Sequence, residues 1–540
     1  MMSARIASLL TLSAALAACM VGPDYHRASA PVAKEFKEQP PEGWTQASPA
    51  DAAPKGDWWT DFHDPLLDEL EPQVAVSNQT VRQNYATYLQ AVAEVKVARA
   101  QLFPVLGVTG SVTRQGGPGF AGTGVSTTTG GTTTGTGTGT GAGGTTTGTT
   151  TTTGAFGSGR GGSVTSATLE GTGTWTLDVW GQIRRLLEEN SATAQADEAT
   201  LANATLSEQA LLATTVVELR AADALIDLDQ STVDAYRESL RVTKAQGQAG
   251  ITAAPPSAVI TAQVALETAQ ATLIGAGVAR AQYAHAIAVL VGKKPEDLDI
   301  PHNGTLPTLP SIPIGVPSTL LQRRPDIAAA ERAMKAQNAA IGVAVAAYYP
   351  TISLSAAGGF TQTPLHGLLH AANHVWSLGA NGTETLFDFG ERRGEVQAAR
   401  AAYEGAVANY RNTVLTAFED VENDLSGLRI LAQQTQALET AVKDATRGTE
   451  IALAEFQAGT VDYTTVAQAQ AVQFTDAQTL LSAEQTRLMD AVSLIADLGG
   501  GWSAADLHSP SDPKSLPPDP SESPPPPPPS RSERGLRRTD

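Results

Sequence analysis

The chain holds a single cysteine, Cys19, among its 540 residues, so an intramolecular disulfide is excluded. Aromatic residues make up only 5%, against 41% hydrophobic residues in all. That shortage argues against a bulky globular core, and the abundant alanine suits close helix packing. Basic residues are outnumbered, 36 against 55 acidic ones, and the net charge of -19 argues against nucleic acid as a partner. Beyond the N-terminus there is no uninterrupted run of 18 apolar residues, the length a membrane-spanning helix requires. If the mature chain crosses a bilayer, it does so as strands. No nucleophile, acid/base or metal constellation stands out, so the expectation is no enzyme, no cofactor and no bound metal.

What is present begins with "MMSARIASLLTLSAALAAC". A basic Arg5, a short apolar run to Ala18 and small residues before the cysteine form a secretory signal pattern over residues 1–18. "LAAC" resembles a bacterial lipobox, which makes Cys19 the acylated (palmitate-bearing) first residue of the mature chain. Met20 after it, rather than Asp, points to the outer membrane.

The chain is also duplicated. "QLFPVLGV" (101–108) parallels "AYYPTISL" (347–354), "LDVWGQIRR" (177–185) parallels "LFDFGERR" (386–393), and "GQAGIT" (247–252) parallels "FQAGTV" (456–461). Gly181 and Gly390 lie 209 residues apart, as do Gly250 and Gly459, but Pro104 and Pro350 lie 246 apart. The first copy is therefore 37 residues longer, all of it between Pro104 and Gly181. The Thr/Gly-rich stretch sits there, within a loop at 116–162. It is an expanded loop in one copy and has little to offset its ordering entropy.

The flanks of that loop alternate with period two. In "TLEGTGTWTLDV" (168–179), Leu169, Trp175, Leu177 and Val179 share one face, and Thr168, Glu170, Thr172, Thr174, Thr176 and Asp178 the other. Each copy supplies one hairpin, 103–114 with 164–180 and 349–362 with 374–388. Four strands cannot close a barrel, since single-chain barrels start at about eight, and an open edge is not tolerated in lipid. Several copies must combine.

Long helical arms follow. From Ala399 the apolar positions run Tyr403, Val407, Tyr410, Val414, Phe418, Val421, Leu425 and Leu428, steps of three and four. The segment 182–249 reads similarly through Leu186, Leu201, Leu211, Val217 and Leu225. Returning helices are expected at 255–292 and 462–498. The resulting organisation is a signal peptide (1–18), a lipid-anchored tether (19–56), a first repeat (57–299), a proline-rich strap (300–318), a second repeat (319–502) and a disordered tail (503–540).

"LLQRRPDI", "IGVA", "YYP", "LFDFG", "AFEDVENDL" and "DLGGGW" occur in that order between residues 320 and 502. Together they resemble the outer membrane factor (TolC-like) family in its NodT-type lipoprotein branch, and the likeness runs from about Trp58 to Trp502. The resemblance implies a mainly α fold with a β-barrel portion. A long α-helical barrel of coiled-coil hairpins joins four transmembrane strands per protomer, twelve in a homotrimer. It implies the outer-membrane channel of a tripartite efflux pump, in which an inner-membrane pump and a periplasmic adaptor deliver small molecules for passive conduction. The alternatives are the duct of a type I-like secretion system and a lipid-anchored periplasmic scaffold with no pore.

The same resemblance assigns the adaptor-contact tips to Gly250, Gly459, Thr460, Val461 and Asp462. It puts a periplasmic constriction at Thr464 and Gln468. Gln468 stands where the family often carries an aspartate, so only the location is carried over. His366, His370 and His374 fall four apart but lack an accompanying carboxylate. Arg184 with Arg185 and Arg392 with Arg393 open the two arms, as phosphate contacts or as ion-paired helix starts.

Overall fold

The computed structural model describes residues 20–30, 36–38, 57–117, 162–248, 256–312, 323–362 and 368–508. Two compact units emerge: a helical one, and a smaller one drawn from Gln101–Val179 and Tyr349–Leu386.

The helical unit contains α1 (Pro65–Ser77), α2 (Gln79–Ala100), α3 (Gln182–Gln248), α4 (Pro256–Leu290), α5 (Pro325–Ala346), α6 (Glu391–Gln457) and α7 (Tyr463–Asp497). The pairing of lengths is exact in residues: α3 and α6 have 67 each, α4 and α7 have 35 each. At 1.5 Å per residue the longer pair extends about 100 Å. Proline opens α1, α4 and α5, where its missing N–H costs nothing. Asp64 caps α1, its carboxylate accepting from the Leu66 N–H at 2.7 Å.

α3 is the central rod, touching α1, α2, α4, α5 and α7, while α6 packs on α5 and α7. One core joins Leu212, Val216 and Leu219 of α3 to Ile287 of α4, Leu425 of α6 and Val492 of α7. On α6 the expected stripe is buried at Tyr410, Val414, Val421, Leu425 and Leu428. On α3 the expectation needs correcting: Leu211 is exposed, and the neighbouring Leu212 is buried instead. A rod surrounded on several sides buries more than one stripe, so a single apolar period does not describe it.

The smaller unit is one antiparallel sheet in the order β1 (Val105–Gly117), β2 (Gly162–Leu177), β3 (Thr351–Gln362), β4 (His374–Thr383). The fourth strand ends five residues before the 388 expected from sequence. There Asp388 accepts from the Gly390 N–H at 3.0 Å and the Arg392 Nε–H at 2.6 Å, and Phe389 has φ +52. That geometry is a turn, and it cannot continue a strand.

Candidate functional site

Register decides what the sheet presents. Leu106 pairs with Gly173, Val108 with Gly171, Leu169 with Phe360, Trp175 with Leu354, Ala356 with Leu378, and Gly358 with Trp376. Side chains at paired positions share a face. All the large apolar residues named here therefore fall on one surface. Thr109, Thr172, Ser355 and Ser377 fall on the opposite one. Leu106, Val108 and Leu378 are between 75% and 80% exposed, too apolar to be left in water. β1 and β4 are the two ends of the strand order, each with one side unpaired in the sheet.

Within the helical unit the long helices pack in the sequence α4, α3, α7, α6. Among the described residues α4 is the one helix long and apolar enough to cross a membrane by length and composition. Its exposed Ile260 with Val264 and Ile274 with Val278 form two apolar pairs four residues apart on one stripe, with exposed Glu267 and Ala271 between them. The outer side of α3 differs, with exposed ion pairs Arg237–Asp234 and Arg241–Glu238. The exposed face of α7 differs again: Thr464, Gln468, Thr475, Thr479, Ser482 and Thr486 carry no charge.

The α6–α7 turn is built by Gly459, whose φ of +75 is the left-handed region that favours glycine. Its N–H donates to Phe456 O at 2.9 Å, and the Thr460 N–H and hydroxyl both donate to Glu455 O, at 3.0 and 2.8 Å. Asp462 stands at the N-cap position of α7 without a side-chain cap hydrogen bond, and Gly459, Thr460 and Asp462 are exposed while Val461 is half-buried. Beneath them Phe456, Tyr463 and Val466 are buried with Leu240 of α3 and Ala258 of α4. Burial pushes the Tyr463 phenol up to about 12. The ends of the two hairpins are thus joined by an apolar plug. The Gln246 side chain reinforces it, donating to Phe456 O at 2.9 Å, and higher up Gln470 donates to Ser239 at 3.0 Å. Gly250 lies outside the described residues.

Cys19 lies outside them too, but the chain that follows it is firmly seated. The Val21 N–H donates to Trp180 O at 3.1 Å, and Gly22 presses on Gly342, where an added Cβ would lie 2.5 Å from its Cα. Arg185 is almost fully buried, pairing with Asp24 and Glu188 at 2.8 Å each and donating to Val21 O. Arg392 pairs with Asp388 and lies over Tyr348. Both arginines are ion-paired helix starts.

Three separated motifs meet at one place. Arg324 of "RRPDI" pairs with Asp326 at 2.8 Å, Asp420 of "AFEDVENDL" at 3.4 Å and Asp497 of "DLGGGW" at 3.0 Å. Asp424 lies beside Asp497, and burial together with that carboxylate holds its own carboxyl far above the usual range. Gly499, at φ +98, leaves room for Arg323 O. These motifs lock α5, α6 and α7 together. Sequence reading missed Glu71, fully buried on α1 with both carboxylate oxygens unpartnered and its carboxyl pushed up to about 9 by desolvation. Nothing in the helical period of α1 distinguishes it from a surface glutamate. Among the described residues no group of three or more His, Cys, Asp or Glu side chains is arranged to hold a metal ion, and His374 meets Phe360 edge to face at 5.7 Å.

Comparison with known proteins gives consistent results. The outer membrane efflux protein family matches residues 71–293 and 316–500. The probable efflux pump outer membrane protein TtgC of Pseudomonas putida is 29% identical over 503 residues, covering 93% of this chain and 96% of that protein. The solvent efflux pump outer membrane protein SrpC of Pseudomonas putida is 30% identical over 331 residues, 61% of this chain and 70% of that protein. The outer-membrane channel OprN superposes with a TM-score of 0.76 at 27% identity, over 90% of this chain and 100% of that one. The Campylobacter jejuni CmeC outer membrane channel shares the fold, with a TM-score of 0.79 at 20% identity over 90% and 96% of the two chains. The helices, the four-stranded sheet and these likenesses together make the chain a member of the outer membrane efflux protein family, a family of channel proteins of the outer membrane.

Proposed function

We propose that the chain is the outer-membrane channel of a tripartite efflux pump, passing small molecules outward by passive conduction as a homotrimer. The observation that carries this reading is the sheet: an apolar band running across all four strands, a mostly polar opposite face and, among the described residues, two unpaired edges. In a bilayer the apolar face meets lipid, the polar face lines water, and the edges must be sealed by further copies. The helical row supports the same closure. Its two ends, α4 and α6, differ in sequence, so a ring forms head to tail, with the apolar seam of α4 covered by the α6 of the next copy. Four strands from each of three copies make a twelve-stranded cylinder.

On this reading Cys19 is acylated, and the clamped segment after it ties the lipid anchor to the start of α3. Gly459, Thr460, Val461 and Asp462, with Gly250 at the other turn, meet a periplasmic adaptor that links the channel to an inner-membrane pump. Thr464 and Gln468 mark the narrow end. Its wall is neutral, because Gln468 is uncharged and the exposed face of α7 continues so through Thr486. A neutral ring holds cations weakly, so multivalent cations should block the purified channel poorly in planar bilayers. Tight block would refute the neutral constriction.

The adaptor role is tested at Gly459. A bulky residue there must adopt a left-handed backbone at a cost of about 1–2 kcal/mol, which distorts the turn while the plug beneath stays packed. Gly459→Trp should abolish drug efflux while heat-modifiable trimers and surface levels persist. Normal resistance in that strain would remove the tip from the contact.

A further inference from the structure

The strap after α4 is held by a histidine that faces two carboxylates at once. His302 Nδ1 lies 3.0 Å from Asp223 Oδ1, and its Nε2 lies 2.9 Å from Asp227 Oδ1. Both aspartates stand on α3, one turn apart. Asp223 is fully buried and is satisfied three ways: it also accepts from Arg280 Nε of α4 at 2.6 Å and from the Asn303 N–H at 2.9 Å. Asp227 is mostly exposed, and its contact with His302 is the weaker tie. Arg280 adds a bond to Ile300 O at 2.9 Å. Gly304 presses so close to α3 that an added Cβ would lie 2.3 Å from Asp227 Oδ2 and 3.1 Å from the Ala224 Cα.

Ionised carboxylates only accept hydrogen bonds. An imidazole that satisfies one at each ring nitrogen must carry both protons, because the neutral ring has one donor and one lone pair. We propose that His302 is a pH-operated clasp: its imidazolium pins the strap between the two repeats onto α3, and loss of the proton releases the Asp227 side. The charged groups facing the ring are Asp223 and Asp227 from α3 and Arg280 from α4. The sign follows from the geometry. The second contact is complete while both ring nitrogens carry protons and is lost as rising pH removes one of them. Release is partial, since Asp223 keeps Arg280 and the Asn303 N–H at every pH considered. The mobile piece is therefore the stretch around Gly304. Thr308, whose N–H donates to Phe62 O at 3.0 Å, bounds it on the far side. The clasp stands on these contacts alone and does not depend on the channel reading.

Hydrogen exchange of the full-length protein in nanodiscs, followed between pH 5.5 and 8.5 and corrected for intrinsic exchange, tests it. Protection of the backbone at 302–306 should fall as pH rises in the wild type. It should stay flat in His302→Gln. In Asp227→Asn, whose amide can donate to the neutral ring, the fall should be strongly reduced. The histidine imidazole carbon resonances provide a second reading, with the His302 signal assigned by its disappearance in His302→Gln and displaced by Asp227→Asn. Flat protection in the wild type would overturn the clasp, and so would a pH dependence that survives both substitutions.

Discussion

The helical unit and the sheet unit solve the burial problem in opposite ways. The helical unit carries its own core, where Leu212, Leu425, Val492 and Phe62 lose all or nearly all contact with solvent. The sheet buries almost nothing: β4 is exposed along its whole length, and the large residues of β1 face outward. The first unit covers most of its large apolar residues by packing them on one another. The second is complete only with lipid on one face and further strands at both edges. Under the proposed function an exposed apolar surface has a different meaning in each, a subunit seam on α4 and a lipid contact on the sheet.

The strongest way to sharpen this contrast is to damage each unit separately. Leu425→Ala removes a fully buried side chain from the helical core and should cost about 2–5 kcal/mol. Thermal unfolding should show the loss equally in detergent and in bilayers. Val108→Arg, on the apolar face of the sheet, should cost about 2–4 kcal/mol near the bilayer midplane. Its signature is failure to assemble in membranes, read as loss of heat-modifiable trimers, with the helical content of the detergent-solubilised chain unchanged. Equal effects of both substitutions in both media would break the comparison.

A smaller effect of opposite sign is expected at Glu71. Its folded-state pKa is raised from 4.5 to about 9 by burial, so the side chain is protonated in the folded protein and ionised in the unfolded one at neutral pH. Stability is then greatest below pH 4.5 and is lost as pH rises toward 9. Glu71→Gln, which needs no proton, should stabilise the helical unit at pH 7 by up to roughly 3 kcal/mol. The gain should vanish near pH 4. Unfolding midpoints of both proteins across that range check the sign.

Much of the architecture is written in local patterns. The alternation from Thr168 to Leu177 and the three-and-four spacing from Tyr403 to Leu428 follow from backbone periods, which act within a few residues. The ends of elements were less legible. The turn at Asp388–Gly390 depends on the Arg392 side chain folding back, and Leu211 and Leu212 exchange roles because neighbours crowd α3 from several sides. At the hairpin end Gly459 announces a turn, but the plug of Phe456, Tyr463 and Leu240 joins residues more than 200 positions apart. The six motifs that signal the family gave no hint that Arg324, Asp420 and Asp497 would meet in one ion cluster.

The duplication, the identity of strands and long helices, and the two-faced character of each strand were legible from the chain alone, because those depend on spacing along it. That four separately amphipathic strands align their apolar sides into one surface emerged from strand pairing. A shift of one residue in any pairing would have scattered them across both faces. The tertiary structure also decided which charges became a structural lock at Arg324, a buried acid at Glu71 and a clasp at His302. Those outcomes depend on which distant side chains share a small volume, and no local pattern encodes that.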